Sequence, residues 1–358
     1  MTRSLRGLIS PLLAVAGAAV LGGILAVVIG ENPLRAAQVL AEGLTTPDGL
    51  GNVLFNATAL TLTGLSVAFA FRAGLFNIGA EGQLVVGAFA ASITALHLPG
   101  APRFLLVPLC ILAAAAAGAV WGAIPGLLRA RLGVHEVINT IMMNFIASGL
   151  TGYLTVHIFK EPGQMIPQTS VLPEAAWIPR LGDLPLVGRL VPASSPANSA
   201  LFLALGAAGV VAWVLYRTPL GFRVRAIGQG ERAAQTSGVP TGMTLVAAMA
   251  VAGALAGLAG VNEALGFRHR YLDNFSSGVG FLGIAVALLG RVRVAGVVAA
   301  ALLFGVLNAG AVEIDLFTGI PQELMLVVQA GILLFVVAGD EVSRRLIARR
   351  ARRKAESS

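Results

Sequence analysis

The sequence predicts an all-α integral membrane protein with about ten transmembrane helices. The 358 residues are 56% hydrophobic and only 12% charged, with a mean hydropathy of +0.84. A soluble domain carries about 25% charged residues. At roughly 20 residues per span, the apolar residues suffice for about ten spans. These proportions exclude an ordinary soluble enzyme, a disordered chain and a coiled coil.

Ten apolar segments follow one another along the chain, and we interpret each as a span. The first follows Arg3 and Arg6 and is too long for a signal-peptide core, which predicts an uncleaved span. The third, eighth and tenth are short, as expected of tilted or broken helices. The segments are residues 8–29, 53–71, 84–98, 104–128, 137–159, 201–216, 243–265, 278–289, 294–312 and 324–338.

The basic residues predict that both ends of the chain are cytoplasmic. With ten spans, 18 of the 25 Lys and Arg residues fall on the inside and 7 on the outside, as the positive-inside rule requires. This asymmetry accounts for most of the net charge of +8, so no nucleic-acid partner is needed to explain it. The single cysteine, Cys110, excludes an intrachain disulfide, and the four scattered histidines offer no metal-ligand spacing. We therefore expect no metal and no cofactor.

The spans predict a single transmembrane domain over residues 1–358 with two halves. The first half covers residues 1–159 and the second 199–339, and a basic cytoplasmic tail covers 340–358. The external loop between the halves, residues 160–198, contains seven prolines, a density that prevents a spanning helix and predicts an ordered external segment. Five spans in each half would relate them as an inverted repeat. Each half contains an interrupted element, at residues 74–82 and 275–283.

The first interrupted element places three glycines, Asn77 and Glu81 between two spans. Asn77 can cap the following helix, which would place Glu81 in its first turn. Irregular backbone at membrane depth must be covered by protein or by a water-filled cavity. The element therefore either lines or supports a transport path, or is a capped turn at the membrane surface. Spacing alone favours the capped turn.

Polar residues also recur along the fifth span at steps of three and four, and they predict a polar stripe on one helix face. The stripe faces either a pathway or other helices, where such groups form interhelical hydrogen bonds. Its members are Glu136, Asn139, Thr140, Asn144, Ser148, Thr151 and Thr155. In the seventh span, Gly253 and Gly257 form a GxxxG pattern, which predicts close helix packing and no ligand role.

Residues 262–271, at the predicted external end of the seventh span, combine amide, aromatic and charged side chains. Two cations, His269 and two aromatic residues could contact a substrate or an external partner. The alternative, an interfacial anchor of aromatic and basic residues, is favoured.

The internal basic loop, residues 217–242, contains a short helical stretch at 231–237 that Gly238 terminates. A helix of two turns is marginal alone in water and needs a partner surface. Ala233 and Ala234 make it slim enough to enter a groove. The alternative is a solvated loop, but the helix signals favour a docking element.

Together, these segments resemble permease subunits of bacterial ABC importers in the branched-chain amino acid and simple-sugar permease family, especially its nucleoside-type members. The resemblance runs from about residue 64 to 339 and departs from the usual pattern at Arg268 and in the loop 160–198. The segments that carry it are residues 64–83, 121–126, 133–142, 225–238, 253–260, 267–270 and 283–291.

The resemblance implies a transport subunit of the bacterial inner membrane rather than an enzyme, with nucleosides as the expected substrates. It implies a second, paralogous permease, an extracytoplasmic substrate-binding lipoprotein and separate ATPase subunits. The chain itself has no Gly-x-x-x-x-Gly-Lys-Ser/Thr phosphate loop. The implied ATPase-coupling residues are Arg225, Gly228, Glu231, Arg232, Ala233, Ala234 and Gly238. The candidate pathway residues are Asn77, Glu81, Gln83, Asn139, Asn144, Asn262 and His269.

Three alternatives remain at this point. Within transport, the substrate could be a simple sugar or another heterocyclic nutrient. An ion-coupled secondary transporter would need ionisable groups in mid-span, and none of the 17 acidic residues lies clearly at a predicted span centre. A membrane enzyme would need converging acids, bases or ligands, and the histidines are widely separated in the sequence.

Overall fold

The computed structural model describes residues 2–185, 188, 191–336 and 338, with side chains described from residue 16 onward. Across these residues the regular structure is helical, and the extended pairing is limited to isolated β-bridges. The predicted basic tail, residues 340–358, lies outside the described residues.

Thirteen α-helices account for most of the described chain. Each of the ten predicted spans falls largely on one of these helices, and α2, α8 and α9 are additional. The helices are α1 (Thr2–Ile29), α2 (Pro33–Thr45), α3 (Pro47–Arg72), α4 (Ala80–His97), α5 (Arg103–Leu132), α6 (Glu136–His157), α7 (Ala200–Arg217), α8 (Pro219–Gln229), α9 (Glu231–Thr236), α10 (Thr241–Ala264), α11 (Val279–Leu289), α12 (Val294–Phe317) and α13 (Glu323–Val336).

Within the described part of the chain, six helices are long and apolar enough to cross a membrane, namely α3, α5, α6, α7, α10 and α12. Helices α11 and α13 are apolar but shorter, as is the part of α1 whose side chains are described, Ala16–Ile29. Polar residues at both ends of α4, including Glu81 and His97, lower its mean hydropathy. The predicted all-helical membrane fold is confirmed, and the number of ten crossings stays a prediction.

The described residues divide into two compact units: one lies between residues 47 and 305, and the other combines the described residues before 47 with those after 305. In the larger unit, α3 is buried along most of its length and packs against α10 and α11, and α10 also packs against α4 and α5. In the smaller unit, the side chain of Asn32 caps α2 by accepting a hydrogen bond from the backbone N–H of Leu34 at 2.9 Å. Every residue of the candidate site lies in the larger unit.

Glycines bring the backbones of α5 and α10 into direct contact. A Cβ atom added to Gly118 would lie 2.3 Å from the carbonyl oxygen of Gly253, and one added to Gly257 would lie 2.4 Å from the carbonyl oxygen of Ala114. Any side chain at these positions would force the helices apart. The packing role predicted for Gly253 and Gly257 is confirmed.

The predicted external segment, residues 160–198, is ordered over its described part. Its backbone N–H groups donate to the chain that follows α10: Thr169 to the carbonyl of Tyr271 at 2.9 Å, and Leu172 to that of His269 at 2.8 Å. The N–H of Ile178 donates to the carbonyl of Leu265 at 3.1 Å. The segment is therefore fixed to the second half of the chain, which confirms the prediction of order.

Candidate functional site

The first break, residues 73–79, separates α3 from α4. Helix α3 ends in a turn in which the N–H of Gly74 donates to the carbonyl of Phe71 at 3.0 Å, and the N–H of Leu75 to that of Ala70 at 3.1 Å. Gly74 has a φ of +74°, a left-handed conformation that favours glycine at helix C-termini. The chain then crosses the protein interior without helical structure.

Asn77 and Gln83 form a reciprocal amide pair inside the break. The Asn77 Nδ2 donates to Gln83 Oε1 at 2.9 Å, and the Gln83 Nε2 donates to Asn77 Oδ1 at 3.1 Å. Asn77 also donates to the Ser66 hydroxyl at 3.1 Å and accepts from the N–H of Gly79 at 3.1 Å. The prediction that Asn77 caps α4 is wrong, because the N-cap is Gly79 and Asn77 instead closes the turn before it.

Asn144 of α6 provides the cap that α4 lacks. Its Oδ1 accepts a hydrogen bond from the N–H of Gly82 at 2.9 Å, and its Nδ2 donates to the carbonyl of Ile78 at 3.0 Å. The first N–H groups of a helix have no intrahelical partner, and a buried one without any partner is costly. A residue distant in sequence thus stabilises the break.

Glu81 lies in the first turn of α4, as predicted, but its carboxylate binds the start of another helix. It accepts hydrogen bonds from the Ser276 hydroxyl, from the N–H of Gly278 at 3.2 Å and from the N–H of Gly280 at 2.7 Å. The side chain is only 9% exposed. The N-terminal end of a helix favours a negative charge, so α11 supplies the environment that this buried carboxylate needs.

The remaining candidate pathway residues lie at other contacts. The Asn139 Nδ2 on α6 is buried and has no hydrogen-bond partner among the described residues. Asn262 donates to the carbonyl of Phe55 at 3.2 Å and accepts from the amide of Asn198 at 3.0 Å. The structure therefore groups Asn77, Glu81, Gln83 and Asn144 around the first break and places Asn262 elsewhere. These groupings depend on contacts between distant residues, which no local sequence signal reveals.

His269 lies beside the segment 160–198 rather than at the first break. Its ring stacks on that of Trp177 with the centroids 4.0 Å apart and the planes 14° apart. Burial lowers the pKa of His269, a hydrogen bond to the carbonyl of Leu265 opposes that shift, and the positive charge of Arg180 adds to it. A cavity of about 500 Å³ opens here, lined by Arg103, Trp177, Arg180 and His269 among others.

The predicted docking helix is present as α9. Gly238 has a φ of +81°, and its N–H donates to the carbonyl of Gln235 at 3.0 Å, so the predicted terminating glycine is confirmed. Ala234 is buried, whereas Glu231, Arg232 and Ala233 are exposed. Arg225, one helix earlier, lies over the ring of Tyr216.

Arg129, a residue with no role assigned from the sequence, forms an ion pair with the first residue of α9. The guanidinium of Arg129, in the last turn of α5, lies 3.3 Å from the Glu231 carboxylate and 3.4 Å from that of Glu136 at the start of α6. Sequence spacing could not identify this contact, because Arg129 and Glu231 are 102 residues apart.

The chain around α8 and α9 also touches the first break directly. A Cβ atom on Gly228 would lie 2.2 Å from the carbonyl oxygen of Arg72, so no larger residue fits there. The Arg72 side chain in turn donates to the carbonyl of Val292 from Nε at 3.0 Å and from Nη2 at 2.7 Å. The predicted coupling loop, the first break and the turn after α11 are therefore in contact.

Comparisons with known proteins agree on one family. Residues 49–337 match the family described as the permease component of branched-chain amino acid transport systems. The chain is 38% identical to the guanosine ABC transporter permease NupP of Bacillus subtilis, covering 94% of this chain and 95% of that protein. It is 36% identical to the nucleoside ABC transporter permease NupB of Lactococcus lactis (94% and 92% covered). It is 35% identical to a glucose ABC transporter permease of Haloferax volcanii (94% and 88% covered). No solved structure matches the chain.

Proposed function

The chain belongs to the family of permease components of branched-chain amino acid transport systems, and we propose that it is the nucleoside-conducting permease subunit of an ABC importer. The observation that carries the substrate class is the 38% identity to a guanosine permease over almost the full length of both proteins. Such identity along the whole chain supports a shared pathway more strongly than a single matching motif would.

Glucose is the second candidate substrate, since a glucose permease is 35% identical to the chain. Uptake of labelled guanosine by cells that express the complete importer distinguishes a nucleoside substrate from glucose. We expect excess unlabelled nucleoside to compete and excess glucose to have no effect. Competition by glucose together with failure of every nucleoside to compete would assign the subunit to sugar import. Ligand binding by the partner lipoprotein gives an independent measurement.

We further propose ten spans with both termini in the cytoplasm of a bacterial inner membrane. The halves, residues 1–159 and 199–339, would then form an inverted repeat on either side of the external segment 160–198. The short helices α4 and α11, each of which follows an interruption of the helical chain, support the repeat.

The partner ATPase subunits are proposed to dock on α8 and α9. Three features support this surface. Helix α9 exposes Glu231, Arg232 and the small Ala233. Arg129 forms an ion pair with its first residue, and Gly228 contacts the first break. These contacts would transmit the movement of a bound ATPase to the membrane part of the chain. A second permease and a substrate-binding lipoprotein complete the proposed importer.

The polar groups of the first break are proposed to support the gate of the pathway. Asn77, Gln83 and Asn144 bond to one another or to backbone groups, so the break keeps its shape without a ligand. Asn139 differs, because its buried amide nitrogen lacks a partner in the described part of the chain. We propose that Asn139 forms a hydrogen bond with the uncharged ligand, because a neutral amide pairs with hydroxyl and base groups better than a charged side chain does.

Charge reversal on the coupling helix tests the docking surface. We expect the double variant Glu231→Lys with Arg232→Glu to reduce both ATPase co-purification and substrate uptake by about tenfold or more, because reversed charges at an interface are repulsive. Lys160→Glu, an exposed reversal in the predicted external segment, is the control and should change neither. Wild-type assembly and uptake in the double variant would contradict the proposed surface.

A further inference from the structure

Two residues of opposite charge flank the first break: Glu81 binds the start of α11, and Arg72 binds the turn after it. The Glu81 carboxylate accepts hydrogen bonds from the N–H groups of Gly278 and Gly280 at the start of α11. The Arg72 guanidinium donates two hydrogen bonds to the carbonyl of Val292, in the turn that follows the last residue of α11. A negative side chain thus binds the N-terminal end of this short helix, and a positive one binds beside its C-terminal end.

The charge of Glu81 matches the end of α11 that it contacts, whereas Arg72 binds a carbonyl of the turn after α11. A helix carries a partial positive charge at its N-terminus and a partial negative charge at its C-terminus, and side chains of the opposite sign stabilise each end. Helix α11 has 11 residues and a length of about 16 Å. The segment from Arg72 to Glu81 therefore binds the start of α11 and the turn that follows it.

The buried carboxylate depends on this arrangement. Glu81 takes part in none of the ion pairs found among the described residues, and its compensating contacts are the donors at Ser276, Gly278 and Gly280. Removing those donors would leave a buried carboxylate without hydrogen-bond partners, which is strongly unfavourable. Displacement of α11 without Glu81 is therefore costly.

The chain before α11 is shaped around the same carboxylate. Asn274, Ser277 and Gly278 have φ values of +57°, +47° and +84°, and left-handed residues turn successive N–H groups towards one concavity that suits an anion. A Cβ atom on Gly280 would lie 2.4 Å from the Glu81 backbone, so α4 and α11 meet without intervening side chains.

We propose that Arg72 and Glu81 are positioning residues that clamp α11 to the first break, so that movement of the coupling loop displaces α11 together with the break. The contact between Gly228 and the carbonyl of Arg72 joins the clamp to the coupling loop. This inference rests on the proposed docking of the ATPases at α8 and α9. It assigns Glu81 and Arg72 to force transmission and not to contact with the substrate.

The number of ATP molecules hydrolysed per substrate imported tests the clamp. The complete importer is reconstituted in liposomes for this measurement. We expect Glu81→Gln to lower the maximal uptake rate by about tenfold while ATP hydrolysis continues. The reason is that the neutral amide no longer places a negative charge at the N-terminus of α11. The substrate concentration at half-maximal uptake should stay unchanged. Arg72→Gln should have the same effect. The double variant should be little worse than either single variant, since both residues act on one helix.

Two further variants keep the test decisive. Ser276→Ala removes a single hydrogen-bond donor to Glu81. It should raise the number of ATP molecules hydrolysed per substrate about two- to threefold. This variant tests the clamp if Glu81→Gln does not assemble. Ser92→Ala, a buried change on α4 at a hydroxyl that bonds the carbonyl of Ala88 in its own helix, should behave as wild type.

A wild-type ATP-to-substrate ratio in the assembled Glu81→Gln and Ser276→Ala variants would overturn the clamp. A change confined to the half-saturating substrate concentration would overturn it as well, because that result indicates a ligand contact. A different result would show that the docking proposal is wrong: the Glu231 and Arg232 reversals would then leave ATPase binding intact. Clamp variants are expected to retain the bound ATPase in every case.

Discussion

The two interrupted elements of this permease both contain buried non-helical chain, and they satisfy its polar groups with different hydrogen-bond partners. The first break has seven residues between α3 and α4, whereas the second break, residues 265–278, has fourteen between α10 and α11. Polar side chains of its own half of the chain satisfy the first break, principally Asn77, Gln83 and Asn144. The second break takes its partners from Glu81 of the other half, which binds Ser276 and Gly278, and from the segment 160–198.

The backbone shows the same contrast. In the first break only Gly74 has a positive φ, whereas the second contains His269, Asn274, Ser277 and Gly278 with positive φ. Left-handed non-glycine residues cost about 1–3 kcal/mol each and persist only where the surroundings impose them. The first break therefore needs one left-handed glycine and the polar groups of its own half, whereas the backbone of the second is held in left-handed conformations by contacts with the rest of the protein.

Removing Asn144 is expected to have the largest effect, because the first break has no alternative cap. Asn144→Leu would leave the N–H of Gly82 and the carbonyl of Ile78 without partners, at about 1–3 kcal/mol for each group. We expect a loss of several kcal/mol, measured as the denaturant midpoint of the protein in detergent. Ser148→Ala, an exposed change one turn along α6, is the control, and an equally small loss in both variants would contradict the capping role.

Sequence reasoning predicted the helices of this protein better than the partners of its polar groups. Apolar segments and glycine signals located the apolar helices and the end of α9 at Gly238, because those features depend on neighbouring residues. The same reasoning placed the cap of α4 on Asn77, two residues before the true N-cap at Gly79. The residue that supplies the cap, Asn144, is 62 positions away from Gly82.

The candidate site shows the same limit. Glu81 was predicted in the first turn of α4, where it lies, but its partner Ser276 is 195 residues away. Arg72 and Arg129 were counted in the sequence only as cytoplasmic charges. Their partners, Val292 and Glu231, become neighbours only after the helices pack. Composition and periodicity contain no information about such distant pairs.

Glycine substitutions at the start of α11, at its N-cap Gly278 and in its first turn at Gly280, are expected to have intermediate effects that differ by position. Gly280→Ala places a methyl group 2.4 Å from the backbone of Glu81, and such overpacking costs about 1–3 kcal/mol. Gly278→Ala meets open space, with its nearest contact at 3.8 Å, but must adopt a φ of +84°, at a cost of about 1–2 kcal/mol. Denaturant midpoints should rank Gly280→Ala as the more damaging change. The opposite order would show that α4 and α11 can separate freely.

Acidification is expected to have the smallest effect, confined to the stack of His269 on Trp177. Burial lowers the pKa of His269, so the unfolded chain binds the proton more readily than the folded one. Stability is therefore retained above the ordinary histidine pKa of about 6.5 and decreases as the pH falls below it. Lowering the pH from about 7.5 to about 5.5 should reduce the melting temperature more in the wild type than in His269→Gln, which cannot titrate. Equal losses in both proteins would show that the second break does not depend on a neutral histidine, and that its contacts with the segment 160–198 tolerate an added charge.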